Sequence, residues 1–186
     1  MEYRADALVR AARIKLVVMD VDGTLTDGRI YIGPDGEAMK EFSVKDGMGI
    51  SMLHTAGVAT AIITGRESEI VKRRAAELKI SHVWQGCRDK REAWQQLKDE
   101  LKLADRDIAY IGDDLNDLPL LMRAGLACCT ADAQPEVKYV SYVISGCNGG
   151  NGAVREIAEL VLKSQGKWQT LVDAFAGTKL APAYGQ

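Results

Sequence analysis

The sequence predicts an α/β fold: a doubly wound, Rossmann-like parallel sheet with a β-hairpin inserted after its first strand. Three observations carry that expectation. Short apolar runs recur at residues 14–19, 58–63, 108–111, 126–129 and 142–144, and unbroken runs of this length suit strands buried on both faces of a parallel sheet. Helical patterns lie between them, which implies βαβ units. One segment breaks the alternation: residues 29–32 and 37–44 flank Gly33-Pro34-Asp35-Gly36. Pro and Gly between two extended runs predict a hairpin turn.

In chain order, residues 1–13 mix charges with Ala, Leu8 and Val9 and read as a short amphipathic helix. Residues 14–19 form the first strand and the hairpin, residues 29–44, follows it. A helix over 48–55 ends at Gly57, a plausible C-cap. The second strand is 58–63, and the helix after it, 67–78, puts Ile70, Arg74 and Leu78 on one stripe. Residues 80–84 are a weaker third strand. The helix 91–101 aligns Trp94, Leu97 and Leu101. The fourth strand, 108–111, is followed by a helix at 117–123, the runs 126–129 and 142–144, and a helix at 153–162. The tail, 164–186, has few periodic apolar residues beyond Trp168, Leu171, Val172 and Phe175, which predicts a turn or two of helix and then a loose end, with Gly177, Pro182 and Gly185, able to act as a lid. The 186 residues read as one domain with a core over about 14–162.

Composition narrows the partners. The chain is 47% hydrophobic and 27% charged, with a formal net charge of −2, enough apolar matter for a core. No Lys/Arg run resembles a nucleic-acid footprint, and no apolar stretch approaches the roughly 18 residues of a membrane span. The N-terminal residues lack the apolar core of a signal peptide, so the expected location is the cytoplasm. Cys87, Cys128, Cys129 and Cys147 form no C-x-x-C pair, which argues against zinc and for reduced thiols.

The chemistry gathers where strands end. Asp20-Val21-Asp22-Gly23-Thr24 closes the first strand, Thr64-Gly65-Arg66 the second, and Gly112-Asp113-Asp114 with Asn116-Asp117 the fourth; Lys90 opens the helix after the third. Ligands of open α/β sheets bind outside the carboxyl ends of the strands. Taken singly, Asp22 could be a solvated turn acid, Thr64 a helix cap and Lys90 a surface lysine. Together they make sense as one device. Carboxylates suit a hard cation such as Mg²⁺, which offsets the repulsion between a carboxylate nucleophile and a phosphoryl group. One carboxylate can carry a covalent phosphoryl group while a second protonates the leaving alkoxide and then deprotonates water. A hydroxyl and a lysine can hold the other phosphoryl oxygens.

The ordered set resembles the haloacid dehalogenase superfamily phosphatases over about residues 14–162. That resemblance implies Asp20 as nucleophile and magnesium ligand, and Asp22 as general acid/base with its backbone carbonyl as a further ligand. It also implies Thr64 and Lys90 on the phosphoryl group, Asp113 as the remaining direct metal ligand, and Asp114 and Asp117 outside the ligand set, orienting Lys90 and water on the metal. Neither the gap after Asp20 nor that between Thr64 and Lys90 holds a cap domain, so the match is to a capless branch. Phe42-Ser43-Val44-Lys45-Asp46-Gly47 and Gly149-Gly150-Asn151-Gly152-Ala153-Val154-Arg155-Glu156 resemble the 3-deoxy-D-manno-octulosonate 8-phosphate phosphatases, which make a lipopolysaccharide precursor. This finer resemblance implies Gly65, Arg66, Lys45 and Asp46 as substrate-binding residues and a homotetramer whose hairpins wall neighbouring active sites. Arg66 stands where relatives acting on nine-carbon 9-phosphates tend to carry Glu, which favours the eight-carbon substrate. A phosphorylated receiver domain would place its acceptor on the third strand, and an idle phosphatase-like oligomerisation module would not need the whole motif set.

Overall fold

The computed structural model describes residues 1–179. Its elements, in chain order, are β1 (Glu2–Tyr3), α1 (Ala7–Ala11), β2 (Leu16–Met19), β3 (Tyr31–Gly33), β4 (Gly36–Met39), α2 (Val44–Thr55), β5 (Ala59–Ile63), α3 (Glu69–Glu77), β6 (His82–Trp84) and α4 (Lys90–Leu101). Next come β7 (Ile108–Gly112), α5 (Leu118–Leu121), β8 (Leu126–Cys129), α6 (Pro135–Val140), β9 (Val143–Ile144), α7 (Ala153–Ser164) and α8 (Trp168–Ala176). Seven described strands form one sheet in the order β1-β9-β8-β7-β2-β5-β6, with β3 and β4 apart as the hairpin. Every neighbouring pair in the large sheet is parallel except β1 with β9.

The strands are buried because both faces are covered. Side chains alternate across a strand, so Val17 and Met19 of β2 join a core with α1, α2, α3 and α7. Leu16 and Val18 join the opposite core, with Trp94 and Leu97 of α4, Leu120 of α5 and Val137 of α6. At roughly 1.5–3 kcal/mol per fully buried aliphatic side chain, a one-residue slip of β2 would exchange its faces and empty both cores. The first strand therefore delivers Asp20 to one fixed place.

Two expectations need correction, and a third runs past the described residues. Residues 1–13 are not a single helix: Glu2 and Tyr3 pair antiparallel with Ile144 and Val143 before α1 begins, because the edge of β9 offers free backbone groups. The hairpin is shorter than residues 29–44. Its strands end at Met39, and Val44 already belongs to α2, whose N-cap Ser43 accepts the Lys45 N–H; an ST-capping serine won over the apolar reading of Phe42 and Val44. The tail carries α8, nine residues long, and the part of it beyond residue 179, where Pro182 and Gly185 of the expected lid fall, lies outside the described residues.

Two contacts tie the helices to the edge where the strands end. Asp46, on the first turn of α2, is buried and accepts backbone N–H groups from Gly152 at 3.1 Å and Arg155 at 2.8 Å, so it caps α7 across a helix pair. The loop before α7 then presses on the loop after β2. A Cβ on Gly149 would lie 1.9 Å from the Gly23 carbonyl oxygen, and one on Gly150 2.6 Å from the Thr26 carbonyl carbon. Replacing Asp46 with Ala leaves two buried N–H groups unmet, at about 1–3 kcal/mol. Asp46→Ala should therefore lower the melting temperature by several degrees in calorimetry; an unchanged melting point would show that the cap contributes nothing.

Candidate active site

The acidic residues converge because three central strands end at one level. Asp20 follows β2 and donates its backbone N–H to Ile111 of β7 at 3.0 Å. The chain then turns tightly: the Val21 carbonyl accepts from the N–H groups of Thr24, Leu25 and Thr26. Gly23 has φ +89°, and a Cβ there would fall 2.0 Å from Asp113 Oδ2. Only glycine lets the loop lie against the carboxylate of the next strand. Thr24 completes the contact, donating to Asp113 Oδ1 at 2.9 Å. Thr64 ends β5 and is buried.

Lys90 begins α4 and is buried. Its ammonium lies 3.0 Å from Asp20 Oδ2, 2.6 Å from Asp117 Oδ1 and 3.3 Å from the Tyr110 hydroxyl. Burial works against this ammonium, but the Asp20 and Asp117 carboxylates outweigh it and hold its pKa above the ordinary lysine value. Asp117 is fully occupied. Oδ1 also accepts from Tyr110 at 2.6 Å, and Oδ2 accepts the N–H groups of Asp113 at 2.8 Å and Asp114 at 3.3 Å. Asp114 is exposed and caps the turn that follows, accepting from Leu115 N–H at 2.7 Å.

These residues open onto a cleft of about 390 Å³, lined among others by Asp20, Asp22, Thr64, Gly65, Arg66 and Asp113. Asp22 forms a short ion pair with Lys40 of the hairpin, and its other oxygen lies 3.7 Å from Arg66 Nε. Two residues named as substrate-binding are elsewhere. Asp46 is buried under α7, capping it, and Lys45 is exposed on α2 and does not line the cleft. The sequence reading did not name Tyr110, Lys40 or Glu37. Tyr110 reads as an ordinary core aromatic in the run 108–111, and nothing in the hairpin's sequence says which face its charges take. Asp27 and Asp132, which also line the cleft, are ordinary loop acids in the sequence.

The site is suited to a hard cation. Asp20, Asp113 and Asp117 each offer a carboxylate oxygen within 4.8 Å of the others. Asp117 spends its oxygens on four donors, whereas Asp20 Oδ1 is buried with no hydrogen bond of good geometry. That leaves Asp20 and Asp113 with carboxylate oxygens able to meet a cation, an all-oxygen set of the kind Mg²⁺ takes. Without a cation both carboxyls are held above their ordinary range. Burial and then Asp117 push Asp20 to about 6, although Lys90 opposes them. Burial, then Asp117 and Asp20, push Asp113 to about 8.

The chain is similar to known proteins. A haloacid dehalogenase-like hydrolase family model matches residues 83–157. The 3-deoxy-D-manno-octulosonate 8-phosphate phosphatase KdsC of Escherichia coli K12 is 43% identical over 163 residues, covering 88% of this chain and 87% of the relative. A crystal structure of the phosphatase of that name from Moraxella catarrhalis, in complex with a magnesium ion, a phosphate ion and a KDO molecule, superposes with a TM-score of 0.89 at 42% identity, covering 92% and 99% of the two chains. The cobalt-bound form of the Haemophilus influenzae phosphatase gives 0.86 at 38% identity, covering 90% and 98%.

Asp113 alone, near pKa 8, is mostly protonated at pH 7, while a bound cation requires its carboxylate. Mg²⁺ binding should therefore release protons at pH 7, and its affinity should rise with pH up to about 8. Titration calorimetry in buffers of different ionisation enthalpy measures the release; binding with no proton exchange would refute the ligand role of Asp113.

Proposed function

This chain belongs to the haloacid dehalogenase-like hydrolases, and from that premise we propose that it removes the phosphate of 3-deoxy-D-manno-octulosonate 8-phosphate through a phosphorylated Asp20. The observation that carries the chemistry is the Asp20 carboxylate itself, with one oxygen on Lys90 and the other buried without a well-formed hydrogen bond. The substrate rests on the 43% identity to the E. coli phosphatase.

In this reading an Asp20 oxygen attacks phosphorus and the bond from phosphorus to the sugar oxygen breaks. Asp22, in its acid form, gives the departing alkoxide its proton. Asp22, now a carboxylate, takes a proton from water as that water attacks the phosphoryl-aspartate, and Asp20 is regenerated as inorganic phosphate leaves. Thr64 and Lys90 hold the phosphoryl oxygens, and Asp117 fixes Lys90 from behind. Asp20, Asp113 and the Asp22 backbone carbonyl would hold Mg²⁺, which would supply positive charge against the repulsion between nucleophile and phosphoryl group. Asp114 stays outside the ligand set. Arg66, half-exposed at the cleft mouth, donates its fork of N–H groups to the ketoaldonate carboxylate, a geometry lysine cannot copy. The same reading places the enzyme in the cytoplasm, where its four free cysteines stay reduced.

We also propose a homotetramer in which hairpins wall neighbouring sites. Ile32 is 78% and Met39 50% exposed on the hairpin, and an isolated two-stranded ribbon is marginal in water. Light scattering tests this; a fully active monomer at assay concentration would remove it.

A phosphate-release screen over sugar and ketoaldonate phosphates with Mg²⁺ tests the function. The eight-carbon ketoaldonate phosphate should be preferred, and Asp20→Asn should abolish turnover while keeping the fold. Preference for a nine-carbon 9-phosphate would redirect the substrate, and activity in Asp20→Asn would end the covalent mechanism. In the same screen Arg66→Ala should depress the ketoaldonate phosphate at least tenfold more than a simple aryl phosphate; equal losses would show that Arg66 does not read the carboxylate.

A further inference from the structure

Lys40 stands one residue past β4, yet its side chain is 1% exposed. Lysine is almost never this buried without partners, and here it has two. Its ammonium forms a short ion pair with Asp22 and lies 3.0 Å from Glu37 Oε1. Glu37 in turn receives the Ser68 hydroxyl in a short hydrogen bond. Ser68 is the N-cap of α3, where its oxygen accepts Val71 N–H at 3.3 Å. A polar chain thus runs from the start of α3 through Ser68, Glu37 and Lys40 to Asp22, its Glu37–Lys40 link an ion pair without hydrogen-bond geometry.

Asp22 needs such a support. It sits between the end of β2 and Gly23, outside any helix or strand, and its side chain is 21% exposed in the cleft. Arg66 stands 3.7 Å away but is 48% exposed, so solvent competes with its hold. The buried arm, Lys40, is the one that restricts where the Asp22 carboxyl can point, and it comes from the hairpin and not from the sheet.

We infer that Lys40 is a positioning residue for the phosphatase reaction: from the hairpin it sets the Asp22 carboxyl at the leaving-group side of the cleft, so proton delivery requires a docked hairpin. The inference rests on the acid–base role given to Asp22 above. It differs from a mere hairpin staple in what it predicts. A sugar alkoxide is a poor leaving group and needs a proton as it departs, whereas a nitrophenolate departs without one. General acid catalysis contributes roughly 10²–10⁴-fold where it is needed, and a misplaced acid forfeits part of that.

The experiment compares kcat/KM, which reports events up to leaving-group departure, for 3-deoxy-D-manno-octulosonate 8-phosphate and p-nitrophenyl phosphate with Mg²⁺. In Lys40→Met the sugar-to-aryl ratio should fall by about tenfold or more, with the loss in kcat and not in KM. Asp22→Asn should show the same or a larger fall. The double variant should match Asp22→Asn alone, since Lys40 acts only through that carboxyl. Equal losses on both substrates in Lys40→Met, or a further ratio fall in the double variant, would overturn the inference. An unchanged ratio in Asp22→Asn would overturn the acid–base assignment and the inference with it, whereas a fall in Asp22→Asn without one in Lys40→Met would overturn the inference alone. Light scattering and melting curves confirm that the assembly is intact, and Lys40→Gln carries the same readout should Lys40→Met not fold.

Discussion

Asp117 has no exposed surface, and four donors converge on its carboxylate: two backbone N–H groups of the turn after β7, the Tyr110 phenol and the Lys90 ammonium. A buried carboxylate is costly without partners and rigid with all of them. The same anion therefore fixes three things at once: the turn that carries Asp113, the lysine that touches Asp20, and the start of α4. Gly112 has no side chain because one would strike this group, its Cβ falling 2.4 Å from Asp117 Oδ2. The phenol is held neutral by its burial and then by the charge of Asp117. Asp117 takes Lys90 as its counter-ion, which leaves Asp20 to share that charge and Asp113 with none of its own. The deficit is what a divalent ion would fill; burial first, and then this uncompensated charge, push both acids upward.

Much of this was legible from residue order. The strand ends at Asp20, Thr64 and Asp113 could be named because unbroken apolar runs stop abruptly at polar residues, and parallel strands must present those ends together. Lys90 could be named because a helix start after the third strand falls on the same edge. What could not be read were contacts between elements distant in sequence. Asp46 sits in a segment that matches related phosphatases and invites a binding role, but its carboxylate turns inward to cap α7, more than a hundred residues later. Tyr110 is hidden within an apolar strand, where one phenolic oxygen does not disturb the pattern. The short antiparallel β1 has two residues, too few for any periodicity.

The hairpin divides its residues by chemistry. Ile32 and Met39 face outward, while Glu37 and Lys40 turn toward the cleft and α3. Strict alternation would put Glu37 and Met39 on one face; the register shift between Tyr31 and Ile32 and the chain's exit from β4 before Lys40 break it. An apolar outer side suits contact with other copies, and a charged inner side suits an acidic cleft. Among the described residues no separate domain covers the cleft, and this small ribbon reaches it through Lys40.

The close approach of Gly149 and Gly150 to the loop after β2 also bears on how this enzyme could be diversified. Two backbones packed without side chains between them form a joint whose width is set by glycine alone, so even a methyl group at either position displaces the loop that orients Asp22. Libraries seeking new substrates would lose most of their members if they sampled this joint. Variation is better spent at the cleft mouth, around Gly65 and Arg66, where side chains meet solvent and carry none of the sheet's packing.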